Sequence, residues 1–482
     1  MLALITAAAA WLRFHALAAK SFWLDEGVSV AIARLDWYNF VRILWRREAN
    51  MSLYYLLLRP WLAVGGSEFW VRSLSVLFAA ASIPVLYLLG RRLFDSRTAI
   101  VATILLAVNA YHLEYSQDAR SYTLMVLLCM LSSLYFLKAI WEPTRANRIA
   151  YVALSSLAVY AHFFSGLVVL AQWLALRSLA GTPASDRVKK DRQWIALLVS
   201  PALLFVLTTG AGPLRWVHRP RLHDLWVLAV RFSGNGGWPL LLAYAAACLV
   251  GLAATRHAFG ISPVPWNEWK SRFVWTWLLF PPLFLFIVSQ AKPLFVFRYF
   301  IACLPALFLL AANGLARLRS RALIATATVA FVGLSLPGVA SEYRQDCDID
   351  RDDWRAATQF LLNHAQPGDA VLFHIPMGRM PYDFYAGLPG HTPSQPFVAY
   401  PRHAERVTFL DFVEKPDYPR LEVELARSGR AWLVLSYAET AQGLPDTRST
   451  ELSGLLSRLY RQVDREQFRG VELVLYSGPG PR

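Results

Sequence analysis

Charge is scarce in this chain: Asp, Glu, Lys and Arg make up 17% of its 482 residues, and only 33 of them are acidic. With 56% of the residues hydrophobic, the apolar surface exceeds what one water-soluble core of this length can hide. Cysteine is scarcer still. Cys129, Cys248 and Cys303 lie inside apolar runs and Cys347 stands alone, a distribution that fits neither a disulfide framework nor a metal-ligand spacing. The first three read as small buried hydrophobes. Glycine-rich phosphate loops, a Ser-His-Asp arrangement, Cys/His clusters and internal repeats are missing as well, which removes the common nucleotide-binding, hydrolytic and solenoid architectures. The net charge of +15 comes without a basic stripe or groove-reading motif, so nucleic acid is not the expected partner.

Long apolar runs rich in aromatic residues fill the first two thirds of the chain, which reads as a polytopic membrane protein. Residues 2–19 are apolar except for Arg13 and His15 and lack the basic start of a signal peptide, so they are expected to form an uncleaved first span. The abrupt start at Met1 points to a few missing cytoplasmic residues. From Val28 to Arg47 apolar and basic residues alternate in a helical rhythm, as in helices lying in the membrane interface. Leu53 to Val64, interrupted by Arg59 and Pro60, is too short for a hydrocarbon layer of about 30 Å and reads as a juxtamembrane or re-entrant piece. Further runs near 69–90, 98–113, 121–140, 148–163, 164–180, 194–210, 237–255, 273–290, 294–315 and 322–339 bring the expected total to about eleven transmembrane helices.

With a cytoplasmic N-terminus, the inner loops of this scheme carry fifteen basic residues, from Arg91 to Arg321, against five acidic ones, and every inner loop obeys the positive-inside rule. An odd number of spans then puts the following on the outer face of a cell membrane: Asp25-Glu26, the segment Glu114 to Arg120, the mouth around Lys292 to Tyr299, and everything after Ala340. Residues 1–340 are thus expected to form a mainly α membrane helix bundle, and 341–482 a small extracytoplasmic α/β domain. In the latter, Asp353 fits an N-cap, Ala370 to His374, Ala431 to Ser436 and Val471 to Tyr476 read as strands, and a helix is expected near Glu451 to Arg465.

Four short pieces fall on the expected outer face. Asp25-Glu26 follows the first span. Asn50-Met51-Ser52-Leu53-Tyr54-Tyr55 opens the juxtamembrane piece. Glu114 to Tyr122 joins two spans and reads Glu-Tyr-Ser-Gln-Asp-Ala-Arg-Ser-Tyr. Phe297-Arg298-Tyr299-Phe300 opens a late span. In this order they resemble the class C membrane glycosyltransferases, in particular the bacterial branch similar to protein O-mannosyltransferases and lipid A aminoarabinose transferases. The resemblance covers roughly residues 10–310 and, more loosely, the tail. It implies that the catalytic base falls on Asp25 with Glu26 beside it, that Asp118 is the acid of the second outer loop, and that Arg298-Tyr299 matches a family Arg-Tyr pair. His162 with its aromatic neighbour has counterparts among relatives, and Tyr54, Tyr55, Glu114 and Arg120 complete the expected substrate-binding set. One departure stands out: relatives often carry Asn-Pro-Pro where this chain has Asn50-Met51-Ser52, which puts the local backbone shape, and with it acceptor choice, in question.

The residue types suit sugar transfer in their own right. An acceptor hydroxyl is a weak nucleophile at neutral pH and needs a base, which one carboxylate can supply. The departing lipid phosphate gathers charge that a planar guanidinium matches, and Arg298 and Arg120 are the cations placed to meet it. The expected activity is inverting transfer of a hexose or pentose from a polyprenyl-phosphate donor to a lipid, glycan or protein acceptor. No cofactor is required, and a divalent cation is compatible but not indicated. Asp346, Asp348 and Asp350 carry an Asp-x-Asp spacing but lack a preceding nucleotide-binding unit, so they read as a polar linker. Alternative readings remain for several residues. Asp25-Glu26 also suits a solvated loop, the two arginines suit snorkelling anchors or partners of Asp118 and Glu114, His162 suits a helix end, and Asn50-Met51-Ser52 matches a glycosylation sequon. The alternative function is a transporter or flippase of a lipid-linked or small polar substrate, which would need ionisable residues near mid-membrane and paired broken helices.

Overall fold

The computed structural model describes residues 1–179, 186, 188–209, 217–253, 266–344, 351–388, 396–402, 416–439 and 446–479. In chain order its helices begin with α1 (Leu2–Phe14), α2 (Leu24–Arg34), α3 (Trp37–Arg46), α4 (Ser52–Val64), α5 (Glu68–Leu93), α6 (Ser96–Ala107) and α7 (Ala110–Ser116). They continue with α8 (Tyr122–Trp141), α9 (Arg145–Ala161), α10 (Ser165–Leu176), α11 (Lys189–Thr209), α12 (Leu222–Ser233), α13 (Gly237–Ala253) and α14 (Trp266–Ala291). The last are α15 (Leu304–Leu315), α16 (Arg321–Glu342), α17 (Trp354–His364), α18 (Arg379–Ala386), α19 (Tyr418–Leu425) and α20 (Thr447–Leu459). The chain divides into two units: Met1–Leu17, Glu48–Leu57 and Arg72–Arg344 form the first, and Ala18–Arg47, Leu58–Val71 and Gln345–Arg482 the second. The juxtamembrane segment around Asp25 therefore belongs with the tail.

The first unit is helical. Among the described residues six helices are long and apolar enough to cross a membrane, or up to eight if each of two bent pairs counts as one span. The expected runs at 148–163 and 164–180 form the shorter helices α9 and α10, joined by a turn at the anticipated hairpin. The bent pairs are α6 with α7, at 60°, and α12 with α13, at 87°. Asn109 sits at the first break, where its Oδ1 accepts the His112 amide at 2.9 Å as the N-cap of α7. Its Nδ2 donates to the Phe232 carbonyl at 3.0 Å, just before Gly234 closes α12 with φ +96°. One amide side chain thus satisfies backbone groups at both interruptions, as apolar surroundings require.

The first span is shorter than the sequence suggests. At about 1.5 Å per residue, α1 reaches roughly 20 Å rather than the thickness of a bilayer. It ends because His15 is extended and Ala16 has φ +54°. Arg13, fully buried, anchors the end: its guanidinium donates to the carbonyls of Ala9, Ala107 and Leu106 at 2.9–3.1 Å and meets His112 Nδ1 at 2.9 Å. A cation on the open carbonyls of a helix C-terminus is favourable, and here it replaces lost hydration.

In the second unit, β1 (Ala370–His374), β2 (Phe397–Tyr400), β3 (Arg430–Leu435), β4 (Tyr460–Phe468) and β5 (Val471–Pro479) form one sheet in the order β2-β1-β3-β5-β4. The β1 strand is parallel to β2 and β3, while β5 runs antiparallel to β3 and β4. Leu421, Leu425, Leu452, Leu455 and Leu456 cover Ala370, Leu372 and Leu433 to make its core. The expected helix over 451–465 is corrected: α20 stops at Leu459, and 460–468 turns back as the edge strand β4. Its charged residues suited a helix by local propensity, but the β5 partner decided the matter, and an edge strand tolerates charge.

Candidate active site

The α2 helix presents the two carboxylates of the second unit. Trp23 precedes the helix in an extended conformation, so Asp25 and Glu26 occupy its first turn, where unpaired amides and the helix dipole favour negative charge. Glu26 is fully buried. Its Oε2 accepts the Trp23 amide at 3.4 Å and lies 3.8 Å from Arg351 Nη1. Asp25 is half-buried, so the pair divides into an inward and an outward member. The helix is pressed onto α18: a Cβ added at Gly27 would lie 2.7 Å from the Pro381 nitrogen. The preceding segment is held by Tyr385, whose hydroxyl takes the Phe22 amide at 2.6 Å and donates to Glu68. Arg355 adds a 2.6 Å ion pair to Glu68 and bonds to the carbonyls of Ala18 and Lys20 at 2.8 and 3.1 Å.

Two residues here escaped the sequence reading. Arg351 pairs with Glu26, and Asp352, close enough to Asp25 for their charges to interact, has its carboxyl pushed up to about 6, chiefly by burial. Trp354 Nε1 donates to Asp352 Oδ2 at 3.2 Å and offsets part of that penalty. The available signal was the run Arg351-Asp352-Asp353, of which only Asp353 has a capping role, accepting the Ala356 amide at 3.1 Å.

The remaining candidates gather in the first unit around aromatic side chains. Rings of Tyr111 and Tyr115 lie 5.1 Å apart, Tyr115 and Tyr122 4.9 Å, Tyr122 and His162 6.0 Å, and His162 and Tyr299 4.8 Å. Arg120 and Arg298 are both electrostatic neighbours of the His162 ring, and Arg298 also acts on Tyr115. The Tyr122 hydroxyl is buried without a hydrogen-bond partner among the described residues, a costly state that a bound polar group would relieve. Tyr54 has a packing role: its hydroxyl meets Ser75 Oγ at 3.0 Å, and Ser75 donates to the Arg120 carbonyl at 3.1 Å. Tyr55 is fully buried beside it, Asp118 is 2% exposed with its carbonyl accepting the Arg120 amide at 2.8 Å, and Glu114 is half-buried next to Tyr111 and Tyr115. Gln117 of the same string ties down the end of α1 through the carbonyls of Arg13 and His15 at 3.0 and 2.9 Å.

The departure at Asn50-Met51-Ser52 has a conformational meaning. Met51 has φ +67°, which a proline ring fixed near −65° cannot adopt. Asn50 is thereby aimed at the α9–α10 turn, accepting the Phe163 amide at 2.9 Å with its Nδ2 3.4 Å from His162 Nε2. The Asp346–Asp350 spacing lies outside the described residues. Among those described, no group of three His, Cys, Asp or Glu side chains is arranged to hold a metal ion.

Residues 52–209 match the family model described as dolichyl-phosphate-mannose-protein mannosyltransferase. Over 100% of this chain and 99% of its own, ArnT from Cupriavidus metallidurans bound to undecaprenyl phosphate superposes with a TM-score of 0.67 at 13% identity. The chain has the class C glycosyltransferase fold. The apo form of the same ArnT gives a TM-score of 0.65 at 13% identity, covering 98% of this chain and 97% of that one. The Archaeoglobus fulgidus oligosaccharyltransferase in complex with Zn and sulfate gives 0.56 at 10% identity, covering 96% and 71%. No curated protein sequence matches the chain. Within this class C fold the ten predicted residues fall into two groups, Asp25 and Glu26 in the second unit and the other eight in the first.

Proposed function

We propose that this protein is an inverting membrane glycosyltransferase that moves a sugar from a polyprenyl-phosphate carrier to an acceptor hydroxyl on the outer face of the cell membrane. The observation that carries the reading is the unequal treatment of the two adjacent carboxylates: Glu26 is buried and held by Trp23 and Arg351, while Asp25 is left half-buried. A general base must reach its proton, and a neighbour that only orients it need not. Asp25 takes the acceptor proton, the hydroxyl oxygen forms a bond to the anomeric carbon, and the bond from that carbon to the lipid phosphate breaks. Arg298 and Arg120 receive the phosphate charge, and Tyr122 with Asp118 lines the sugar or acceptor. The undecaprenyl phosphate bound to ArnT and the dolichol phosphate in a complex of the Archaeoglobus fulgidus oligosaccharyltransferase support a lipid-phosphate donor.

The test is a panel of polyprenyl-phosphate hexoses and pentoses offered to the purified protein in nanodiscs, with envelope lipids, glycans and proteins as acceptors. Acceptor-dependent release of polyprenyl phosphate with inversion at the anomeric carbon is the expected outcome. Carrier movement across the bilayer without cleavage would replace this reading by a transporter.

A further inference from the structure

The first unit also holds a cavity of about 390 Å³ lined by Arg91, Arg92, Trp141 and Lys270. Three helices bring these residues together: α5 near its C-terminus, α8 at its last residue, and α14 near its start. Arg120 lies two residues before Tyr122, the first residue of α8, and Trp141 is the last of its 20 residues. At about 1.5 Å per residue the helix separates the cavity from Arg120 by roughly 30 Å, the thickness of a hydrocarbon layer. The cavity therefore opens at the opposite membrane face.

The charges inside it are unbalanced. Arg92 and Lys270 share one indole, with the guanidinium carbon 5.5 Å and the ammonium nitrogen 5.1 Å from the Trp141 ring centre. Glu142 takes one of the cations, 2.6 Å from Arg92 Nη2, but is itself more than half exposed. Arg92 Nε is buried with no hydrogen-bond partner among the described residues. Glu268, one helical turn from Arg272, acts on that arginine. Among the described residues the three cations of the lining, Arg91, Arg92 and Lys270, meet one exposed carboxylate and repel each other unless an anion joins them, and the Trp side chain beside them is the type that settles at the level of lipid headgroups. Basic pockets between membrane helices suit phosphorylated headgroups for these reasons.

We infer that the Arg91–Arg92–Trp141–Lys270 cavity is a binding site for a phosphate anion presented at the membrane face opposite Arg120, supplied by an anionic phospholipid headgroup or by free phosphate. Arg91 and Lys270 contribute the charge not engaged by Glu142, and Trp141 supplies the apolar floor under the glycerol backbone when the source is a lipid.

Native mass spectrometry and thermal-shift titration of the full-length protein in neutral detergent test this, with phosphatidylglycerol, phosphatidylcholine and inorganic phosphate as probes. The wild type should retain phosphatidylglycerol over phosphatidylcholine, and Arg91→Gln with Lys270→Gln should weaken that retention about tenfold or more. The lipid-free thermal midpoint of the double variant verifies its fold, and single variants replace it if that midpoint collapses. Arg317→Gln with Arg319→Gln, two exposed arginines between α15 and α16 on the same face, should leave retention unchanged. Displacement of phosphatidylglycerol by an equal concentration of inorganic phosphate marks free phosphate as the source, and no displacement marks the headgroup; both uphold the site. Unchanged retention in the double variant, or equal loss in the Arg317 and Arg319 control, overturns it.

Discussion

Replacing Asp25 by Asn and, in parallel, Glu26 by Gln separates a proton acceptor from a side chain that holds it in place. Asn keeps the size of Asp25 and removes the charge from the first turn of α2, a change costing about 0.3–1 kcal/mol of stability through the helix dipole. Glu26→Gln keeps an oxygen for the Trp23 amide but removes the charge 3.8 Å from Arg351. At an effective dielectric of about 20 the lost Coulomb energy is roughly 4 kcal/mol, and after desolvation a net loss of about 1.5–3 kcal/mol remains. The thermal midpoint should therefore fall clearly in Glu26→Gln and little in Asp25→Asn. Transfer should behave the other way: Asp25→Asn slows it by about 10² to 10⁴, the usual contribution of a general base, and Glu26→Gln slows it less. Both variants, purified into nanodiscs, are compared by thermal unfolding and by single-turnover transfer below the Glu26→Gln midpoint. A near-normal Asp25→Asn rate beside an inactive Glu26→Gln would refute the assignment and exchange the roles, while normal rates in both would reduce the pair to a helix cap.

Arg298→Ala should weaken use of the lipid-phosphate donor by roughly tenfold to somewhat over a hundredfold, the loss of one charge-assisted contact; unchanged donor kinetics in the reconstituted assay refute it. Asp352, with its carboxyl raised from 3.8 to about 6, binds its proton more tightly in the folded state, so stability falls as pH rises between those values and stays lower above them, by at most about 3 kcal/mol. Asp352→Asn should accordingly raise the thermal midpoint at pH 8 and leave it unchanged near pH 3.5, and equal midpoints at pH 8 count against the burial argument. Met51→Pro should cost about 3 kcal/mol or more, because proline cannot take φ +67°; a variant as stable as wild type shows that the Asn50 contacts form with another backbone. For orientation, Arg427→Cys should react with an impermeant thiol reagent in intact cells lacking the native cysteines, and Arg319→Cys should not; the reverse pattern inverts the topology.

Much of the membrane-embedded architecture is written in local composition, because hydrocarbon admits only segments that satisfy their own backbone. The long runs that became α5, α8, α14 and α16, and the shorter helices α2, α3 and α4, follow from residue type alone. So does the Asp353 cap, a contact three residues long. Tertiary contacts decided the rest. The halt of α1 at Phe14 depends on Arg13 finding carbonyls some 93 and 94 residues away. The turn of 460–468 into a strand depends on β5 offering a ladder. The different burial of Asp25 and Glu26, neighbours of the same chemistry, depends on Arg351, more than 300 positions along the chain. Periodicity and hydropathy are sums over nearby residues and are readable from the sequence, whereas which of two adjacent carboxylates is enclosed is settled by side chains brought in from distant segments, and that distinction carries the proposed chemistry.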